Sequence, residues 1–284
     1  MEPNILLLGH TGKMGLALQH AFQNHGTIIG RNSKDLDATD FDSITDLIFA
    51  CRPQLVINTI AYMGIDACEQ NPEQAQKINT LLPRHLARLS AEHAFTLVHF
   101  STDAVFNDDF TTLRGESALP SPVNLYGVTK LGGEHMVAHH APHHYIFRLP
   151  VLFGPAIKEG QFVEKMLRLV NNGAQSLRIS QDIITSPSYS RDLARAVRQV
   201  VLAEQSFGLY HLCNEGKASL YDLMKEIVNQ LGLQVTVQAA SHRDFPAVGE
   251  KNTCTPMRSE KLPPLRPWQE AVAEYCQLLK EDLP

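Results

Sequence analysis

The sequence has no C-x-x-C pair. Its five cysteines (Cys51, Cys68, Cys213, Cys254 and Cys276) are odd in number and far apart. That excludes a disulfide framework and predicts reduced thiols in a cytoplasm. No apolar run approaches the roughly 18 to 20 residues that cross a bilayer, and no cationic amphipathic stretch suggests a membrane surface. The opening Met1-Glu2-Pro3-Asn4 lacks the cationic region of a signal peptide. No basic block points to nucleic acid; the formal net charge is −5, with both signs mixed along the chain. There is no internal repeat and no low-complexity linker. Hydrophobic residues make up 44% and charged residues 19%, which excludes global disorder. The 284 residues suffice for one large domain or two small ones.

What is present is an alternation. Short apolar runs at Ile5–Leu8, Thr27–Gly30, Leu55–Asn58, Thr96–Ser101 and Tyr145–Leu149 read as strands. Between them lie helical patterns at Met14–Asn24, Ile44–Cys51, Pro72–His93 (one or two helices) and Leu125–His139. Continuous apolar strands bracketed by helices predict an α/β fold, a doubly wound parallel sheet of the Rossmann type. After Gly154 the rhythm loosens. Helices are predicted at Phe162–Asn171, Ser190–Ala203, Leu220–Leu231 and Trp268–Leu279, with strands at Leu209–Cys213 and Val235–Ala239. The expected division is a dinucleotide-binding domain over 1–154 plus about 185–212. A smaller substrate-binding lobe takes about 155–184 and 213–284.

Gly9-His10-Thr11-Gly12-Lys13-Met14-Gly15 follows the first strand and opens the first helix. Glycines there let the backbone turn tightly and approach a pyrophosphate, with the helix N-terminus aimed at the phosphates. The spacing is G-x-x-G-x-x-G, and a bare Gly-rich turn is the competing reading. No Gly-Lys-Ser/Thr follows, so a nucleoside-triphosphate loop is excluded. The second strand runs into Arg31-Asn32-Ser33-Lys34 with no acid at its end. A cation there suits the 2′-phosphate of NADPH rather than the bare ribose of NADH. NADPH is favoured and NADH stays open; a solvated basic turn is the bland alternative.

Phe100-Ser101-Thr102-Asp103 closes a strand, and Tyr126-Gly127-Val128-Thr129-Lys130 opens a helix. Tyr126 and Lys130, four apart, share a helix face. Such pairs are common by chance. Downstream of a glycine turn, with Ser-Thr-Asp between, they form a reductive site. The ammonium lowers the phenol pKa, the phenol gives a proton to a carbonyl under reduction, and the Thr102 hydroxyl holds the same oxygen. The cofactor supplies the hydride.

These motifs, with Leu36-Asp37-Ala38-Thr39-Asp40, Pro122-Val123-Asn124-Leu125 before Tyr126, and Arg266-Pro267-Trp268, resemble the extended short-chain dehydrogenases. More narrowly, they are similar to the dTDP-4-dehydrorhamnose reductase family over nearly the whole chain. The resemblance implies that Thr102, Tyr126 and Lys130 are the catalytic trio, that Asp37 and Ala38 lie at the adenine, and that Ala61, Tyr62 and Met63 line the cofactor crevice. It implies NADPH-dependent reduction of the C4 ketone of a nucleotide-linked 4-keto-6-deoxy sugar, and a homodimer. Asp103, Ala104 and Val151 would touch substrate. Against the family pattern, Ala104 and Phe153 replace tyrosines, Val151 replaces a tryptophan, and Lys251-Asn252-Thr253-Cys254-Thr255 replaces Arg-Pro-x-Asn-Ser. All would lie where the sugar is held, so the pocket should have a different shape.

Other candidates carry bland readings. The histidines at 135, 139, 140, 143 and 144 read as a polar helix end, and no metal is expected. Asp66, Cys68 and Glu69 could meet substrate or favour a helix N-terminus. Lys165, Arg168 and Arg178 could face a diphosphate or solvent. Trp268 should anchor the last helix. The rival functions are a 4-epimerase or 4,6-dehydratase of the same fold, and a non-catalytic binding subunit resembling the methionine adenosyltransferase β subunit.

Overall fold

The computed structural model describes residues 3–156 and 161–281. Met1 and Glu2, and residues 157–160 near the head of the expected lobe, lie outside them. The chain opens with β1 (Asn4–Leu8), α1 (Lys13–Phe22), β2 (Thr27–Arg31), α2 (Phe41–Cys51) and β3 (Leu55–Asn58). Ile5 to Leu8 and Leu55 to Asn58 are all buried, as strands covered on both faces must be. Burying each such aliphatic side chain contributes about 1.5–3 kcal/mol. Asp40 caps α2 by accepting from the Ser43 N–H at 3.1 Å.

Next come α3 (Ile65–Gln70), α4 (Pro72–Gln76), a π turn at Lys77–Leu81, α5 (Leu82–His93), β4 (Thr96–Thr102), α6 (Leu125–His140) and β5 (His144–Leu149). The expected helical region 72–93 is thus two helices joined by a π turn, and α3 precedes it unforeseen. Its sequence is too short to show a period, and the break comes from Asn71 and Pro72.

The remainder holds β6 (Leu152–Phe153), α7 (Phe162–Asn171), β7 (Ser176–Ser180), β8 (Ile184–Thr185), β9 (Ser188–Tyr189), α8 (Ser190–Leu202) and β10 (Gly208–His211). It ends with β11 (Ala218–Ser219), α9 (Leu220–Leu231), β12 (Thr236–Ala240) and α10 (Trp268–Glu281). Helices α7 to α10 fall within two residues of expectation; the two-residue strands were not foreseen, because so short a run carries no alternation, and β7, whose Leu177 and Ile179 alternate with polar residues, was missed.

Six strands form one parallel sheet in the order β10-β5-β4-β3-β1-β2. The doubly wound α/β expectation therefore holds. From β1 the chain crosses through α1 to β2 on one side; from β2 it returns through α2 to β3 on the other. That reversal opens a crevice at the carboxyl ends of β1 and β3, the place where such sheets bind ligands. α8 lays Leu193, Ala194, Ala196, Val197 and Val200 against Met14, Ala17, Leu18 and Ala21 of α1. A separate core gathers Phe153, Val163, Leu177, Tyr189, Ile227, Trp268 and Tyr275 around α7, α9 and α10. Trp268 anchors α10 there, as expected.

Candidate active site

The glycine turn takes the shape its composition demands. Gly9 has φ +82°, and a Cβ on it would stand 2.4 Å from Thr59 Oγ1. A Cβ on Gly15 would stand 2.3 Å from the Gly9 carbonyl oxygen. Only hydrogen fits at either place. The turn is tied to β2 by the Gly9 N–H, which donates to the Arg31 carbonyl at 2.8 Å. No side chain caps α1 at Gly12, so its first N–H groups remain for a ligand. The donors of a bare helix start and the absence of Cβ bulk fit a dinucleotide pyrophosphate.

Of the other residues in this turn, Thr11 is partly exposed, and Met14 packs its side chain into the core. Lys13 departs from the simplest expectation. Its ammonium is buried, donating to the Leu152 carbonyl at 3.0 Å and pairing with Glu164 Oε1 at 2.9 Å. Burial lowers its pKa and Glu164 opposes that shift. What Lys13 offers a phosphate is its backbone, not its charge.

Arg31 ends β2 beyond β1, at the far end of the crevice, with its guanidinium folded back on the Gly30 carbonyl at 2.8 Å. Asp37 turns its carboxylate to the Thr39 N–H and hydroxyl, at 2.8 and 2.9 Å. Those bonds hold its carboxyl below the usual range. Ala38 packs on the cluster beneath α2. Past β3, Asn79 of the π turn holds the Tyr62 backbone from both sides. It accepts from the Tyr62 N–H at 2.9 Å and donates to the Tyr62 carbonyl at 3.0 Å. The same amide donates to Thr129 Oγ1 at 3.1 Å. A π turn places a side chain where an α turn would not, so sequence periodicity could not disclose Asn79. Ala61 is partly exposed and Met63 is 58% exposed.

Thr102 ends β4, and Asn124 caps α6 by accepting from the Gly127 N–H at 2.9 Å. The cap starts the helix so that Tyr126 falls in its first turn and Lys130 one turn on. Burial raises the pKa of the Tyr126 phenol, and the neighbouring Thr102 hydroxyl works against that rise. The Lys130 ammonium is turned beneath the helix to the Phe100 carbonyl at 2.5 Å. Burial pushes Lys130 itself down to about 8, with Glu134 opposing.

The three positions expected at the substrate differ in kind. Asp103 is enclosed by hydroxyls, accepting from Thr255 at 2.8 Å, Thr102 at 3.1 Å and Thr185 at 3.2 Å. Burial raises its pKa and these bonds resist. Ala104 is buried, its N–H donating to Thr102 Oγ1 at 3.1 Å. Val151 is partly exposed between β5 and β6. Phe153, expected at the sugar, is instead fully buried in the lobe core, stacked on Tyr189 at 5.6 Å.

A segment from Val248 to Thr255 straps these parts together. Asp66 Oδ1 accepts from the Val248 and Gly249 N–H groups at 2.9 and 3.1 Å. Asn124 Nδ2 donates to the Glu250 carbonyl at 2.9 Å and to Asn252 Oδ1 at 2.8 Å. Asp108 Oδ1 accepts from the Thr253 N–H at 2.7 Å. Glu69 accepts from the Leu125 N–H at 2.9 Å. Asp66 and Glu69 therefore hold backbone, and Cys68 is buried with its thiol on the Tyr62 carbonyl. At the end of α6 His139 and His140 meet edge to face, and beyond it His143 stacks on Phe207 and His144 Nδ1 lies 2.7 Å from the Ala141 carbonyl. Among the described residues no cluster suits a metal.

The matches to known proteins fit this geometry. A dTDP-4-dehydrorhamnose reductase of Mycolicibacterium smegmatis is 31% identical over 283 residues, covering 96% of this chain and 85% of that protein. The methionine adenosyltransferase 2 subunit beta of Danio rerio is 30% identical over 242 residues, covering 81% and 74%. The crystal structure of a dTDP-4-dehydrorhamnose reductase from Clostridium acetobutylicum superposes with a TM-score of 0.91 at 30% identity, covering 98% and 99% of the two chains. That of the Bacillus anthracis reductase in complex with NADP gives 0.91 at 26% identity, covering 97% and 99%. The RmlD substrate binding domain model matches residues 3–281, so this chain belongs to the RmlD substrate binding domain family.

Proposed function

We propose that this protein reduces the C4 ketone of a nucleotide-activated 4-keto-6-deoxy sugar with NADPH. The observation that carries the reading is the Tyr126 phenol beside Thr102 at the end of β4, one helical turn before the buried Lys130 ammonium. The cofactor would lie along the Gly9–Gly15 turn, with Arg31, Asp37 and Ala38 toward its adenosine end. Ala61, Tyr62 and Met63 would stand at its middle, and Lys130 near its nicotinamide end. It supplies the hydride when bound.

Tyr126 gives its hydroxyl proton to the carbonyl oxygen as the alkoxide forms. Thr102, whose hydroxyl donates to Asp103 in this structure, would turn that hydroxyl to the same carbonyl oxygen when the sugar binds. The Lys130 ammonium stabilises the phenolate left behind. Asp103 supports Thr102 from behind, and Ala104 and Val151 border the sugar. The small side chains at these two places leave room, which suits a keto sugar bulkier at that edge than the family's usual one. We divide the chain into a cofactor-binding body, 1–154 with 185–212, and a substrate lobe, 155–184 with 213–284. The scattered free cysteines suit the cytoplasm.

The test is incubation with NADPH and a panel of nucleotide-linked 4-keto sugars while nicotinamide absorbance is followed. Oxidation is expected with at least one sugar. Changing Tyr126 to Phe should lower turnover by about 100-fold or more with NADPH binding retained. Tight NADPH binding with no turnover across the panel would select the binding-subunit reading instead.

A further inference from the structure

Lys13 and Glu164 belong to different halves of the molecule. Lys13 is the first residue of α1, directly after the glycine turn, and Glu164 lies in the first turn of α7 in the lobe. Their side chains are 1% and 11% exposed, and they meet at 2.9 Å. The ammonium also donates to the Leu152 carbonyl at the start of β6. Both Glu164 oxygens are sheltered from water and take no hydrogen bond in the described structure. Lys13 is therefore the cation that balances them among the described residues. Glu164 lies in the first turn of α7, where that helix's dipole stabilises its negative charge.

A lysine at the first position of this helix would otherwise have reach and charge for a pyrophosphate resting on the same turn. Here its charge is neutralised and drawn toward the lobe. We propose that Glu164 is a positioning residue that holds the Lys13 ammonium off the cofactor's pyrophosphate and fixes the lobe helix α7 against the cofactor turn. This deepens the reductase reading and rests on it. The pair sets cofactor affinity below what the turn could reach, which favours release of the oxidised cofactor. In exchange it seats the lobe for the sugar.

The test uses the full chain and three variants: Glu164→Gln, Lys13→Met, and the double change to Met at both positions. NADPH binding is measured by fluorescence titration, and kcat and KM are measured for the sugar. Glu164→Gln should bind NADPH about tenfold more tightly at low salt, because the freed ammonium turns to the phosphates, with the gain shrinking as salt rises. The double variant should bind NADPH within about twofold of the native chain, since the pair it removes carries no net charge, whereas Lys13→Met should bind it more weakly because Glu164 is left as an unpaired anion. In each variant KM for the sugar should rise more than kcat falls.

A merely structural pair would weaken NADPH binding in Glu164→Gln, and that result overturns the proposal. So does a roughly tenfold loss of NADPH affinity in the double variant, the mark of a direct phosphate contact by Lys13. The double variant guards against an unfolded single, because two apolar side chains replace a buried pair at little cost. Failure of the native chain to bind NADPH would instead overturn the reductase reading. The latch is then judged on stability. Trp268, the one tryptophan of the chain, lies in the lobe core. Its emission should melt ahead of the far-ultraviolet signal in Glu164→Gln and together with it in the native chain. Coincident melting in both would overturn the latch.

Discussion

Arg148 of β5 grips Glu134 of α6 through two parallel hydrogen bonds, Nε to Oε1 at 2.9 Å and Nη2 to Oε2 at 2.6 Å. Both side chains are nearly excluded from solvent. The guanidinium also lies 5.0 Å over the Phe106 ring, and its Nη1 stands 3.4 Å from His211 Nε2. Glu134 is one turn beyond Lys130, so this pair pins the helix that carries Tyr126 and Lys130 to the sheet that carries Thr102. Changing Arg148 to Met leaves a buried carboxylate alone and should cost about 3–5 kcal/mol in urea unfolding, whereas Met at both positions should cost much less. A loss under about 1 kcal/mol for the single change would show that the pair pins nothing.

Lys130 gives two opposite pH effects. Burial brings it to about 8 in the folded chain, against 10.5 for a free lysine. Between these values the unfolded chain binds more protons, so this group makes stability rise with pH from about 8 toward 10.5. Below both values its burial penalty is constant. Activity should move the other way, falling above about pH 8 as the ammonium is lost. A pH profile of turnover checks this. In Lys130→Arg the charge persists and the decline should leave this range; a decline unchanged in that variant would assign it to another group.

Arg31 is the one strong cation at the end of β2 and lies beyond β1, at the end of the crevice away from Tyr126. Reversing its charge with Arg31→Glu should raise KM for NADPH by about tenfold or more and change that for NADH little, because only NADPH carries the 2′-phosphate. Equal changes with the two cofactors would remove Arg31 from the adenosine site.

Asp66 holds the strap at Val248 and Gly249. The strap also delivers Thr255 to Asp103. Asp66→Ala should free the strap at one end and raise KM for the sugar several-fold, leaving the NADPH dissociation constant within about twofold, since no strap residue meets the glycine turn. Weakened NADPH binding would place the strap over the cofactor instead.

Much of this protein is legible in one dimension. The strands β1 and β3 are buried on both faces, so they read as nearly unbroken apolar runs, while β4 and β5 read as apolar runs interrupted by His99 and Arg148. The glycine turn is legible because Gly9 and Gly15 answer a local steric demand: φ +82° at one, a 2.3 Å approach at the other. Tyr126 and Lys130 are legible because helix spacing alone puts them on one face. What the sequence could not disclose depends on partners far away along the chain. Asn79 acts from a π turn on Tyr62 and Thr129, 17 and 50 residues distant. Asp66, which the sequence leaves open between a substrate contact and a helix start, sits in the first turn of α3 and accepts from the strap 182 and 183 residues on. The enclosure that raises the Tyr126 phenol, and the Phe100 carbonyl that takes the Lys130 ammonium, come from β4 and are absent from the helix spacing. Lys13 is a phosphate ligand by position and a latch by contact. In each case the local pattern set the residue and its backbone, and the low-dielectric packing around it decided its charge, its partner and so its work.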